Sequence, residues 1–545
     1  MHAARTLFRS WTPPRFHAYT VASLLRPANL AAWMDRQQEL CASLSLGPSG
    51  AGAGALVELL TQHAVEAQQR QHQHRRGVLD GRLVFLKDNL LGGAASRMLP
   101  AVREQAVNAV TVSPGQDRRR QTPSCGGSGG GTERGPGEED DGDRHCGWVW
   151  RQLVQQQGMV PCGSANMDEF GMGGDGSRSP GWRGPTVNPF HAGYSAGGSS
   201  GGIAAAVASG CAEIGVGSDT GGSVRQPAAS CGLWGFKPSY GAVSRHGLTA
   251  YASSLDCVGW VARHASLLEP VFRALATHRD PLDPTHQGGW LPEHPQPPPV
   301  VPESRVVGIP IEYSVEELSP AVRAAWEAAL QELQQRGFRT VEVSLPHTAL
   351  ALPSYYVIAC AEASSNLSRY DGSHCGSTLS GWSALAHDPG NEMDFREFEE
   401  LNRSRGFGVE VLRRILTGTS VLSLDSYERF FKQAQIARHL VARDFMHCFD
   451  SGVDFLLTPV VPQPALPLPQ GECSSTGSVT RLYEFDCCTV PASLAGLPAI
   501  SVPVQVHGAQ DGALPLGVQL IGRPRGDLDL LQLACFLDDG GDRGE

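Results

Sequence analysis

Gly197-Gly198-Ser199-Ser200-Gly201-Gly202 is followed, after an alanine-rich helical run, by Gly217-Ser218-Asp219-Thr220-Gly221-Gly222-Ser223. A glycine pair before a serine lets backbone N–H groups converge without obstruction by β-carbons, and such a concavity can hold an anion or a developing oxyanion. A single turn of this kind more often only caps a helix, whereas two in succession favour a catalytic site. We therefore expect the N–H groups of Thr220, Gly221 and Gly222 to form an oxyanion hole.

A lysine at the end of a predicted strand is the candidate base. Serine is a weak nucleophile and needs a base within hydrogen-bonding reach. The apolar run Leu83–Leu86 predicts a short buried strand, and Lys87 follows it directly. Burial would lower the pKa of this lysine and so favour the neutral amine that can accept a proton. Taken alone, Lys87 also fits a strand end whose amine reaches solvent.

Strand and helix signals alternate in the second half of the chain. Val306–Pro310 predicts a buried strand, and Ser319 before a proline predicts a helix N-cap. Gly337 supplies a left-handed stop before a second strand at Thr340–Val343. This β-α-β unit predicts an α/β fold, with a mixed twisted sheet covered by helices on both faces. The apolar face of the predicted helix consists of Val322, Trp326, Leu330 and Leu333. A further strand is predicted at Ala499–Val504.

Composition excludes several classes of protein. The chain has 545 residues, 41% of them apolar, which is enough for a sizeable core. Its 44 Lys and Arg against 55 Asp and Glu give a net charge of −11, which argues against binding nucleic acid mainly through phosphates. The sequence contains no run of 18 or more apolar residues, so no membrane-spanning helix is predicted. The 14 cysteines include no C-x-x-C pair, so neither a zinc site nor a disulfide framework is predicted.

Three segments differ from the rest in composition. Residues 1–17 carry three arginines and no acid, the charge pattern of an organellar transit segment. Residues 101–146 combine a glycine run with an acidic run and show no periodicity, which predicts a disordered insertion. Residues 280–303 are proline-rich and predict a connector of extended, unpaired backbone.

Six motifs, in this order along the chain, resemble those of the amidase signature family. The resemblance implies a single amidase domain over 18–530 that contains the insertion and the connector. It also implies a Ser-cisSer-Lys triad, in which Ser223 is the nucleophile, Ser199 the relay serine after a cis peptide, and Lys87 the base. The motifs are Leu86-Lys87-Asp88-Asn89, Asn166-Met167-Asp168-Glu169-Phe170, the two serine turns, Gly235-Phe236-Lys237-Pro238-Ser239-Tyr240-Gly241 and Ser253-Ser254-Leu255-Asp256.

Within the family, the chain most resembles the branch that hydrolyses glutamine for tRNA-linked amidation, over about Thr20–Pro524 outside the insertion. Free glutamine presents an α-ammonium and an α-carboxylate, which a site must pair with opposite charges. The resemblance implies that Asp486 binds the ammonium, Arg414 the carboxylate, and that Tyr355 is a third contact. It also implies no metal and no cofactor in this chain.

The same resemblance implies partners and a compartment. The chain would form a heterotrimer with two further subunits, B and C, and its ammonia would convert Glu-tRNA(Gln) to Gln-tRNA(Gln). The B subunit would hold most of the tRNA and would use ATP and Mg²⁺ at its own kinase site. With the arginine-rich residues 1–17, this predicts a role in translation in the mitochondrion, the chloroplast stroma or both.

Three other functions would each account for part of the sequence pattern. A stand-alone amidase of the same family, acting on an apolar amide, would share the triad and would not need Arg414 or Asp486. The segment Gly197-x-Ser199-x-Gly201 also fits the nucleophile elbow of α/β-hydrolases, but an elbow follows a buried strand, and residues 188–194 do not predict one. A catalytically idle scaffold would have no use for the triad.

Overall fold

The structure is a computed structural model that describes residues 78–80, 82–87, 89–90, 147–174, 176, 184–291, 301–371, 394–468, 483–504 and 513–539. The predicted transit segment at 1–17 and the predicted insertion at 101–146 lie outside these residues. Of the predicted connector at 280–303, the structure describes 280–291 and 301–303.

Ten of the twelve strands in the described residues form one mixed sheet, in the order β2-β1-β5-β7-β6-β11-β12-β10-β8-β9. Neighbouring strands are parallel at the two ends of this order and antiparallel in the middle. The strands are β1 Leu83–Lys87, β2 Val160–Ala165, β3 Val187–Asn188, β4 His191–Ser195, β5 Ile214–Asp219, β6 Trp234–Lys237, β7 Cys257–Ala262, β8 Val306–Pro310, β9 Arg339–Val343, β10 Phe455–Pro459, β11 Ala499–Val504 and β12 Leu516–Gly522.

Both faces of the large sheet are buried, because successive side chains along a strand point to opposite faces. Trp260 and Val261 of β7 accordingly pack into two different hydrophobic clusters. The α/β fold with a mixed sheet is therefore confirmed. The main helices are α1 Gly201–Ala208, α2 Arg225–Ser230, α3 Leu268–Leu275, α4 Pro320–Gln335, α5 Ala351–Leu367, α6 Phe395–Gly406, α7 Val409–Val421, α8 Lys432–Asp450, α9 Val490–Leu494 and α10 Asp527–Asp539, with π-helical segments at Trp150–Gln156 and Tyr427–Phe431.

The predicted β-α-β unit is confirmed. β8 has the predicted bounds and pairs in parallel with β9. Ser319 Oγ accepts a hydrogen bond from the Val322 N–H at 3.3 Å and so caps α4. Gly337 has a φ of +95°, the left-handed conformation that ends the helix. On the predicted helix face, Val322, Trp326 and Leu333 are buried and Leu330 packs partly against the core.

A hairpin at 187–195 differs from the sequence prediction. β3 and β4 pair antiparallel with each other, where residues 188–194 were not predicted to form a strand. The pairing also uses a distant segment, because the Ser195 N–H donates to the Leu466 carbonyl and the Leu468 N–H to the Gly193 carbonyl, both at 2.9 Å. Three of the five residues of β4 are exposed, so this is not the buried strand that a nucleophile elbow follows.

The first part of the predicted connector is packed against the domain. Asp280 and Asp283 are buried, and their carboxylates accept hydrogen bonds from Ser244 Oγ at 2.6 Å and from the Arg245 N–H at 2.7 Å. The backbone is hydrogen-bonded as well, since the His286 N–H donates to the Asp283 carbonyl at 3.1 Å and the Gln287 N–H to the Gly241 carbonyl at 3.2 Å. The expectation of extended, unpaired backbone is therefore wrong for this part of the connector. Proline content predicts the absence of helix and strand, but acidic side chains can still anchor such a segment to neighbouring donors.

None of the helices in the described ranges is both long and apolar enough to cross a membrane. The nine cysteines in the same ranges carry reduced thiols, seven of them buried.

Candidate active site

Lys87 lies at the carboxyl end of β1, beside the end of β5 and the start of α1. Its Nζ donates to Ser199 Oγ at 2.7 Å and to Ser218 Oγ at 2.9 Å, and lies 3.3 Å from the Ser218 carbonyl oxygen. The parallel pairing of β1 with β5 brings these residues together, because their strands end at the same edge of the sheet. The predicted base and the predicted relay serine are therefore in direct contact.

Burial sets the charge of this lysine. The side chain of Lys87 is fully buried, and the loss of hydration lowers its pKa to about 7. The carboxylates of Asp168, Asp219 and Asp256 oppose this shift, because each favours the charged amine. The expected direction of the pKa shift is confirmed, and a substantial fraction of Lys87 is neutral near pH 7.

The segment around Ser199 has the backbone that the resemblance implies. The peptide bond between Gly198 and Ser199 is cis. The Asp168 N–H donates to the Ser199 carbonyl at 3.2 Å, and a β-carbon on Gly198 would overlap the Asp168 carboxylate. Asp168 thus lies directly against this peptide, and a residue with a side chain does not fit at position 198.

Ser223 lies on the loop between β5 and α2. The Ser200 N–H donates to the Ser223 carbonyl at 3.1 Å, so the backbones of the two serine turns are joined. Within the described residues, no hydrogen bond engages the Ser223 hydroxyl, nor the N–H groups of Gly221 and Gly222. The structure therefore links Lys87 to Ser199 through side chains and links the two turns through the backbone, with donors of the predicted oxyanion hole left available.

A buried ion pair holds the Ser223 loop in place. Arg225 donates from Nη2 to Asp219 Oδ1 at 2.8 Å and from Nε to Asp219 Oδ2 at 3.0 Å, and both side chains are fully buried. The same guanidinium donates to the Thr489 carbonyl at 3.0 Å and to Ser493 Oγ at 2.8 Å. Arg225 lowers the pKa of Asp219 despite the opposing effect of burial. The loop is thereby fixed to the segment that carries Asp486.

Asp486, the predicted ammonium ligand, lies beside this loop. Its Oδ1 accepts a hydrogen bond from Gln226 Nε2 at 2.8 Å, and its Oδ2 accepts one from Tyr356 Oη at 2.5 Å. Burial raises the pKa of Asp486 to about 6, because the two hydrogen bonds and the nearby Arg414 only partly compensate for lost hydration. The carboxylate is ionised at neutral pH and can pair with a cation.

Arg414, the predicted carboxylate ligand, is 2% exposed and lies among aromatic rings. Its guanidinium carbon lies 5.3–5.8 Å from the ring centroids of Tyr251, Tyr356 and Tyr483. Nε donates to Glu410 Oε1 at 2.9 Å, and Nη1 donates to Tyr251 Oη. Nη2 is buried and has no hydrogen-bond partner among the described residues. A buried, unpaired guanidinium nitrogen is costly, so a ligand carboxylate is a fitting partner for it.

Tyr355 lies between Arg414 and the Ser223 loop. A β-carbon on Gly221 would be 2.6 Å from Tyr355 Oη, so the tyrosine packs directly on the loop. Its ring centroid lies 5.0 Å from that of Tyr356, which contacts both Asp486 and Arg414. The three predicted glutamine contacts therefore occupy one continuous buried region beside the Ser223 loop.

Several residues of this region were not predicted from the sequence. Glu410 stands four residues before Arg414, a spacing that pairs opposite charges on one helix face and could have been used. Gln226 lies three residues after the second serine turn. Tyr251 and Tyr356 carry no local signal, because only the fold shows which aromatic rings face the arginine. In the described residues, no three His, Cys, Asp or Glu side chains form a metal-binding group.

A family model described as Amidase matches residues 149–531. The chain belongs to the amidase family. This membership agrees with the motifs in the sequence and with the contact between Lys87 and Ser199.

Relatives within the family include the A subunits of several glutamyl-tRNA(Gln) amidotransferases. That of Azorhizobium caulinodans is 43% identical over 400 residues, which cover 72% of this amidase and 76% of the relative. That of Geobacter metallireducens is 43% identical over 381 residues, 70% of this chain and 74% of the relative. Among solved structures, the A subunit of the Thermotoga maritima glutamyl-tRNA(Gln) amidotransferase superposes with a TM-score of 0.61 at 31% identity, and the match covers 87% of this chain and 86% of that one.

Proposed function

We propose that this amidase hydrolyses the side-chain amide of glutamine as the A subunit of a tRNA-dependent amidotransferase. One observation carries the choice of glutamine: Asp486 accepts a hydrogen bond from Tyr356 Oη and the Arg414 guanidinium lies over the Tyr356 ring, so two buried, opposite charges lie close together beside the Ser223 loop. An apolar amide needs neither charge, whereas a zwitterionic ligand would supply a partner for the Arg414 Nη2, which is unpaired within the described residues, and an opposite charge for Asp486. The names of the relatives support the same function.

The proposed reaction begins at the buried amine. Neutral Lys87 accepts the proton of Ser199 as Ser199 accepts that of Ser223, and Ser223 Oγ attacks the amide carbon. The N–H groups of Thr220, Gly221 and Gly222 stabilise the negative oxygen of the tetrahedral intermediate. The relay then protonates the leaving nitrogen, ammonia departs, and an acyl-enzyme remains on Ser223. Water hydrolyses this ester by the same relay and releases glutamate.

The proposed partners complete the amidation. Two further subunits, B and C, would join this chain, and the B subunit would hold Glu-tRNA(Gln) and use ATP and Mg²⁺ to activate its glutamate. A net charge of −11 on this chain fits an arrangement in which most of the tRNA is held by another protein of the complex. An organellar location rests on the arginine-rich residues 1–17, which lie outside the described residues.

A test uses the chain co-expressed with its two partner subunits. We expect glutamate and ammonia to be released from glutamine, and Gln-tRNA(Gln) to form when Glu-tRNA(Gln) and ATP are supplied. The Ser223→Ala variant should release neither, and should still assemble. Turnover of a simple aliphatic amide by the chain alone, with none of glutamine, would contradict the proposal and favour a stand-alone amidase.

A further inference from the structure

Two neighbouring thiols directly follow Asp486. Cys487 Sγ and Cys488 Sγ are 3.6 Å apart; Cys487 is partly exposed and Cys488 is buried. In an extended strand, neighbouring side chains point to opposite faces, so such an approach needs a turn. Here the Cys487 N–H donates to the Glu484 carbonyl at 3.2 Å and the Thr489 N–H to the Asp486 carbonyl at 3.1 Å. The mechanism proposed above uses neither thiol.

We propose that Cys487 and Cys488 form a reversible oxidation site, with hydrogen peroxide as the oxidant. Oxidation there would control glutamine binding by the neighbouring Asp486. The sulfur of Cys487, the more accessible thiol, attacks one peroxide oxygen to give a sulfenic acid and one water. The sulfur of Cys488 then attacks that sulfur, the S–O bond breaks, and a second water leaves as the disulfide forms. Two thiols lose two electrons in all, and one peroxide is reduced to two waters.

A disulfide at this position requires the backbone to move. The Cα atoms of bonded residues are about 3.8 Å apart across a trans peptide, whereas disulfides usually join Cα atoms about 4.4–6.8 Å apart. Strained disulfides of this kind are readily reduced, which makes the modification reversible. A thiol reductant would restore the two thiols.

Hydrogen bonds connect the backbone that would move to residues around the Ser223 loop. The Cys488 carbonyl accepts from Gln519 Nε2 at 3.1 Å, and the Thr489 carbonyl accepts from Arg225 Nη1 at 3.0 Å. Asp486, the preceding residue, holds Gln226 and Tyr356 through its carboxylate. Oxidation would therefore displace the carboxylate that is proposed to bind the substrate ammonium, and would weaken glutamine binding. This consequence rests on the proposed function, whereas formation of the disulfide does not.

The test uses the assembled complex before and after treatment with hydrogen peroxide. Peptide mapping by mass spectrometry should find the peptide with Cys487 and Cys488 lighter by two hydrogens. The KM for glutamine should rise about tenfold or more, as expected for losing a charge-assisted contact, and should recover with dithiothreitol. Cys488→Ser should prevent the disulfide and keep the low KM under the same treatment. Cys535→Ser, which removes a partly exposed thiol on α10, should respond like the wild type.

Two results would overturn the proposal. One is a peptide map without the Cys487–Cys488 disulfide after peroxide has oxidised other thiols. The other is an equal rise in KM for the wild type and Cys488→Ser. The peptide map decides whether the site exists even in a preparation that does not turn over glutamine, so failure of the proposed function is distinguished from failure of this inference.

Discussion

Arg414 Nε donates to Glu410 Oε1 at 2.9 Å, one turn back along α7. Because Glu410 and Tyr251 take up two sides of the guanidinium, Nη2 is its one nitrogen without a partner in the part of the chain that the structure describes. Glu410 thus fixes the direction of Nη2, and through it the side of the pocket at which a carboxylate would bind. Glu410 itself need not touch the substrate.

Arg414→Ala should raise the KM for glutamine strongly and change kcat little. A hydrogen bond to a charged group contributes about 1.5–3 kcal/mol, which corresponds to roughly a ten- to hundredfold rise in KM. Steady-state glutaminase kinetics measure this, with the exposed Arg405→Ala as a matched control that should behave as wild type. An unchanged KM in Arg414→Ala would contradict the assignment of glutamine.

Glu410→Gln should also raise the KM, because the guanidinium loses its charged partner and its fixed orientation. The two effects should not add: in an Arg414→Ala background, Glu410→Gln should change the KM little further. A double-mutant cycle on glutamine KM measures this coupling. Additive effects would show that Glu410 acts independently of the arginine and is not a positioning residue.

The pH profile of kcat/KM should fall on the acid side in two steps. Lys87, with a pKa of about 7, is protonated below that pH and cannot accept the serine proton. Asp486, with a pKa of about 6, is protonated below that pH and loses its attraction for the ammonium. Activity therefore rises with pH through both values and levels off above them. Asp486→Asn should abolish the lower step and keep the one near pH 7, and a flat profile between about pH 5.5 and 8 would refute this assignment.

Ser223→Ala should abolish the acyl-enzyme, and Ser199→Ala should lower kcat by about 10²–10⁴, the usual contribution of a positioned proton relay. Rapid-quench kinetics and mass spectrometry detect the acyl-enzyme. Ser230→Ala is the matched control, because Ser230 is a buried serine of α2 whose hydroxyl has no hydrogen-bond partner in the described residues. An acyl-enzyme that persists in Ser223→Ala and disappears in Ser199→Ala would revive the nucleophile elbow.

Asp219→Asn should destabilise the protein by about 3–5 kcal/mol, because it leaves the buried guanidinium of Arg225 without its charge partner. The unfolding free energy from urea denaturation measures this. The control is Glu269→Gln, which removes the partner of Arg273 in a partly exposed ion pair on α3 and should cost less than about 1 kcal/mol. Equal destabilisation by the two variants would show that the buried Asp219–Arg225 pair does not hold the Ser223 loop in place.

The sequence predicted those parts of the site that have a recognisable pattern of residues along the chain. Lys87 follows an apolar strand, and the two serine turns have glycines where side chains would collide, as at Gly198. Strand and helix boundaries at 306–343 follow from caps and from a left-handed glycine. Apolar runs, caps and glycine pairs are visible in the local sequence, although the carboxylate that excludes a side chain at Gly198 belongs to the more distant Asp168.

The remainder depends on contacts between distant segments. Tyr356 faces Arg414 because α5 and α7 pack together, and Tyr251 contacts it from the segment between β6 and β7. No periodicity distinguishes either residue from a core tyrosine. The hairpin at 187–195 has a weak strand signal and forms with the help of Leu466. Asp280 and Asp283 are buried by partners at Ser244 and Arg245, which a reading based on proline content could not reveal.

Arg225 also determines when the site can be completed during synthesis. Its partners at Thr489, Ser493 and Gln519 leave the ribosome more than 250 residues after it, so the nascent chain carries this guanidinium long before those acceptors exist. Contacts of such long range form late, since their loop must close first. A chain truncated before Thr489 would therefore contain Lys87, Ser199 and Ser223, but Asp219 would remain as a partner of Arg225 without the acceptors at Thr489, Ser493 and Gln519.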